Sequence, residues 1–103
     1  MTDEGLAELL TATALGVAEC GATSANGTTT WAIGGAPFAS LTGSRVEFRL
    51  GAVIGTAARH TPDTSASPRG PDWVAFHPGA LDQYAGDRAR AWFVAAARRA
   101  APG

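Results

Sequence analysis

The stretch Thr28–Leu50, TTTWAIGGAPFASLTGSRVEFRL, constrains the fold of this chain more than any other segment. Gly34-Gly35 can supply the positive φ angles that a two-residue hairpin turn needs, and apolar residues flank the pair. Trp31 and Ile33 precede it at a spacing of two, so they share one strand face. Pro37-Phe38-Ala39-Ser40-Leu41 follows, and Thr42-Gly43-Ser44 is a second turn signal. Beyond it, Val46, Phe48 and Leu50 alternate with Arg45, Glu47 and Arg49, as in a half-buried antiparallel strand with one solvated face. Pro37 has no N–H to give to a ladder, so it belongs at a strand start or edge. Three short strands and two tight turns predict an antiparallel meander.

The flanking segments supply helices. Thr2 can cap a first helix, with Asp3 and Glu4 in its first turn. Leu6, Leu9, Leu10, Thr13 and Val17 lie on one helical stripe, and Gly16 marks its end. Residues 17–23, VAECGAT, are expected as a strand, with Ser24-Ala25-Asn26-Gly27 turning the chain into the meander. Gly51–His60 predicts a short, Ala-rich helix. Its Gly51-Ala-Val-Ile-Gly55-Thr56 run lacks the lysine of a phosphate loop, so it reads as helix packing or a turn. Thr61–Asp72, TPDTSASPRGPD, contains three prolines and is expected to be an irregular loop. Trp73–Phe76 is apolar on both faces and predicts a central strand, which His77-Pro78-Gly79 breaks. In the last segment Ala85, Ala89, Trp92, Phe93, Ala96 and Ala100 form the stripe of a core-facing helix. Arg90, Val94 and Arg98 lie opposite, and Arg88 and Arg99 nearer one edge. The resulting class is α+β, a sheet meander with an N-terminal and a C-terminal helix packed on it.

A chain of 103 residues implies one domain. Much of its 46% apolar content is Ala, so core volume rests on the leucines, Trp31, Phe38, Phe48, Trp73, Phe76, Trp92 and Phe93. Most of the three tryptophans are expected in the core, and one left exposed beside Pro37 or in the 61–72 loop would mark a partner or ligand surface. All eight basic residues are Arg, which with the abundant Ala and Gly matches a GC-rich, actinobacterial coding bias. A net charge of −1 draws the chain to no polyanion as a whole. The charge is uneven: Asp3, Glu4, Glu8 and Glu19 open the chain, and only arginines (Arg88, Arg90, Arg98, Arg99) follow Asp87. Helix-dipole complementarity accounts for that placement. Cys20 is the one cysteine, so no internal disulfide forms and a reducing cytoplasm is the expected setting. No apolar run approaches the roughly 20 residues of a membrane span, and Thr2-Asp3-Glu4 lacks the basic start of a secretory signal.

Catalytic chemistry finds little footing. His60 and His77 have no metal-ligand spacing, and Cys20 has no sequence neighbour that would activate it. Asp3, Glu4 and Glu8 are too few for an acidic metal-binding ridge. No enzyme activity and no cofactor are expected.

Taken in order, several short motifs resemble the MmcQ/YjbR family of small bacterial domains. They are Ala14-Leu-Gly-Val-Ala-Glu19, Trp31-Ala-Ile-Gly-Gly-Ala-Pro-Phe-Ala39, Val46-Glu-Phe-Arg-Leu50, Gly70-Pro-Asp-Trp-Val74 and Arg88-Ala-Arg-Ala-Trp92. That resemblance implies an α+β fold similar to a double-wing DNA-binding domain, also likened to the frataxin-like fold, and it implies DNA as partner. Arg90 and Arg98 would then meet phosphate through the last helix, with Arg45, Arg49 and Arg69 flanking a wing. Family members often carry lysines where this chain has only Arg45, Arg49, Arg59 and Arg69, interleaved with Glu47, Asp63 and Asp72. The other reading of the same residues is a module for a protein partner or a small ligand, without nucleic acid or catalysis.

Overall fold

The computed structural model describes residues 2–101, with side chains from Gly5 onward. The capping role expected of Thr2, and the first-turn placement of the Asp3 and Glu4 side chains, lie outside the described part. The elements in chain order are α1 (Thr2–Leu15), β1 (Cys20–Ala25), β2 (Thr28–Ile33), β3 (Ala36–Thr42), β4 (Arg45–Arg49), α2 (Ala52–Ala58), β5 (Thr64–Ala66), β6 (Trp73–Phe76) and α3 (Gln83–Ala100). The strands form one antiparallel sheet in the order β1-β2-β3-β4-β6-β5. This is the α+β architecture that the turn pattern predicts.

Three successive two-residue turns build the meander. Asn26 and Gly27 (φ 54° and 79°) and Gly34 and Gly35 (φ 57° and 80°) are both left-handed, as in type I′ turns. Between β3 and β4 only Gly43 is left-handed, at φ 61°, the pattern of a type II′ turn. The Asn26-Gly27 turn sets the position of β1: with Ala25 opposite Thr28, the strand occupies 20–25 and not 17–23. Residues 16–19 instead form the turn out of α1, with Glu19 at φ 63°. A second correction concerns the 61–72 loop. Thr64–Ala66, between Pro62 and Pro68, pairs with β6 as a three-residue edge strand, because prolines on either side leave its own N–H groups free to bond.

A bulge in β3 explains where Pro37 and Phe38 sit. The register with β2 shifts between Trp31 and Ala32, so Ala39 and Pro37 have partners and Phe38 has none. Phe38 is thereby free to turn into the core, where its ring meets Phe93 edge-on at 5.1 Å. β4 pairs with β3 only from Ala39 onward, so the missing Pro37 N–H costs no ladder bond on that side.

α3 lies across β2, β3 and β4, with α1 beside it. Its buried stripe is Ala85, Gly86, Ala89, Trp92, Phe93, Ala96 and Ala97. Phe93 meets Trp31, and Trp92 meets Phe48 and Phe76, all edge-to-face at 5.3–6.2 Å. α2 packs on β6, with Gly55 facing Val74. Val74 stands opposite Phe48, so α2 joins α3 and α1 on one face of the sheet. The other face carries no helix. Among the described residues, no helix is long and apolar enough to cross a membrane.

Candidate binding site on the open sheet face

Strand alternation delivers the charged residues of β4 to the helix-free face. Val46 and Phe48 point into the core, so Arg45, Glu47 and Arg49 point the other way, with Ser40 opposite Glu47 and Trp73 opposite Arg49. The sequence pattern predicts a solvated row here, and Glu47 departs from it, being only 7% exposed. The cause is the 67–72 loop, which folds back over β3, β4 and β6. Ser67 Oγ donates to Glu47 Oε2 at 2.5 Å and Arg69 Nε to Oε1 at 2.9 Å, while Arg69 Nη2 reaches Ser40 Oγ at 3.0 Å. The Arg69 guanidinium also lies 5.1 Å from the centre of the Trp73 ring. Burial alone would raise the Glu47 carboxyl. The hydrogen bonds from Ser67 and Arg69 and the charges of Arg45 and Arg69 outweigh it and hold its pKa below the ordinary glutamate value.

This network positions three guanidiniums on one surface. Arg45 pairs with Glu47 at 3.5 Å, and Arg49 lies 3.9 Å from Asp72, whose carbonyl receives the N–H groups of Leu50 and Gly51. The three Arg side chains remain 38–42% exposed. Pro37, Arg49, Arg69, Gly70, Pro71, Asp72 and Trp73 line a cleft of about 240 Å³. Arg49 also borders a neighbouring cavity, of about 270 Å³, together with Arg99 from α3.

Arg99 is not among the arginines that the sequence offers as DNA contacts. Its guanidinium lies against the backbone of Gly51, where a Cβ would be 2.8 Å from the guanidinium carbon. Gly51 sits at φ 87° and ψ 162°, a region that glycine alone occupies comfortably. Its place beside Arg99 depends on tertiary packing, so no sequence signal marks it.

The helix arginines lie elsewhere. Arg90 pairs with Asp87 at 2.9 Å, and Arg98 borders a groove of about 420 Å³ between the C-terminal ends of α1 and α3. Both are on the helix layer, so the structure brings Arg45, Arg49 and Arg69 together and leaves Arg90 and Arg98 apart from them.

The remaining reactive groups are dispersed. Burial pushes the Cys20 thiol up, opposite to the shift that makes a thiolate nucleophile. His77 Nε2 hydrogen-bonds Ser44 Oγ at 2.8 Å, and His60 lies just past α2. Among the described residues, no three His, Cys, Asp or Glu side chains gather as a metal site. Trp31 and Trp92 are buried in the core as expected, whereas Trp73 is buried on the open face, covered by Arg69 and beside the cleft. Searches of known protein families, of curated proteins and of solved structures return no match to this chain.

Proposed function

We propose that this chain is a non-catalytic binding module of the MmcQ/YjbR-like type, and that it meets the phosphate backbone of DNA on its open sheet face. The observation that supports this is the placement of Arg45, Arg49 and Arg69 on the helix-free sheet face, where Arg49 and Arg69 line one cleft, Arg45 is tied to Arg69 through Glu47, and Arg49 shares a neighbouring cavity with Arg99. Guanidinium groups present fixed forks of donors that suit phosphate oxygens. The pairing of Arg69 with Glu47, Ser40 and Trp73 holds that side chain in place before any ligand arrives.

Glu47 and Asp72 set the strength of such binding. They offset part of the charge of the three arginines, so few phosphates are neutralised, and affinity is weak and confined to low salt. With at most about three phosphates engaged, the slope of log K against log salt should be no steeper than about −3.

The deciding experiment is fluorescence anisotropy of a labelled mixed-sequence duplex at low and then physiological salt. The double variant Arg45→Ala/Arg49→Ala should weaken binding to all sequences and lower the slope by about 2, while Arg90→Ala/Arg98→Ala should leave the slope unchanged. A flattened slope in the second variant alone would move the interface to α3. No binding of the native chain at low salt would overturn DNA as the ligand.

A further inference from the structure

The two edges of the sheet are guarded unequally. β5 ends the sheet on one side with three residues between Pro62 and Pro68, too short to template another strand. β1 ends it on the other side with six residues, Cys20-Gly-Ala-Thr-Ser-Ala25, every one of them exposed except the half-buried Cys20. It contains no charged residue and no proline, and no helix covers its outer rim. Its outward N–H and C=O groups are therefore a free template of about 20 Å. The features that usually block strand addition are present at one edge and missing at the other.

We infer that β1 pairs antiparallel with β1 of a second copy of this chain, joining two sheets across a two-fold axis. Like meets like without penalty, because neither strand brings a charge to the seam and the small side chains allow close approach. The pairing also accounts for the apolar surface beside it. Antiparallel register sets the Ala25-Asn26-Gly27 end of one copy next to Cys20 of the other. Cys20 stands opposite Ile33, which lines the groove formed with Val17, Ala18, Val94 and Ala97, so the partner's turn lies at the groove mouth. Leu15, at the end of α1 next to Gly16 of that groove, is 86% exposed in the single chain. A strand seam alone falls short of the roughly 800 Å² per partner typical of stable complexes, and this apolar margin enlarges it. The result is a weak, concentration-dependent dimer.

Sedimentation equilibrium of the native chain, from micromolar to millimolar concentration, should show a monomer–dimer equilibrium. Amide exchange over residues 20–25 should slow as concentration rises. Thr23→Lys brings a cation from each copy to the seam and should raise the dissociation constant about tenfold or more. Leu15→Asp should weaken the dimer without touching the strand. A monomer mass at every concentration overturns the inference and leaves the edge to a strand of another protein. A dimer with unchanged exchange at 20–25, or one indifferent to both variants, overturns it equally.

Discussion

At the scale of single residues, Glu47 ties the open face together. It sits mid-strand, yet it accepts from Ser67 and Arg69 and pairs with Arg45. Its carboxyl is held below the ordinary value of 4.5, so its stabilising contribution is complete above that value and is lost as pH falls through the depressed one. Glu47→Gln should therefore lower stability at pH 7 by about 1–2 kcal/mol, at the low end for charged hydrogen bonds because Arg69 is partly exposed. Urea unfolding should show that gap between the two proteins closing in acid, below pH 4.5. A gap that persists in acid would mean the loss arises from packing and not from charge. The alternation of Arg45, Glu47 and Arg49 identified the face, but the burial of Glu47 depends on a loop 20 residues away in sequence.

At the scale of elements, turns and caps decide where each segment begins. α3 opens at Asp82, whose side chain accepts from the Ala85 N–H at 2.8 Å, while Arg98 and Arg99 close its last turn. Asp82→Ala should cost about 1 kcal/mol and lower Tm by about 4–8 °C, measurable by calorimetry, with no change of fold. The stripe of α3 and the hairpin glycines were legible in the sequence because both obey short, fixed periods. The extent of β1 and the existence of β5 were not. A three-residue strand has no period of its own, and β5 forms because β6 offers it a partner.

For the molecule as a whole, three helices cover one face of the sheet and leave the other to solvent and to the 67–72 loop. All three tryptophans are enclosed, Trp31 and Trp92 between the helices and the sheet and Trp73 on the open face beneath Arg69. Their emission should be blue-shifted and poorly quenched by acrylamide until the chain unfolds, and a red-shifted native spectrum would contradict the packing of Trp31, Trp73 and Trp92. The one-sided covering also separates the candidate arginines into an open-face group and a helix-layer pair, so a single flat surface cannot use both. From the sequence alone came the class, the meander, the central Trp73–Phe76 strand and the core aromatics, since turn chemistry and hydrophobic period act between neighbours along the chain. The tertiary structure alone decided which cations share a surface, why Glu47 is buried and where Arg99 reaches. Those relations join residues distant in sequence, and they exist only once the loop, strands and helices have packed.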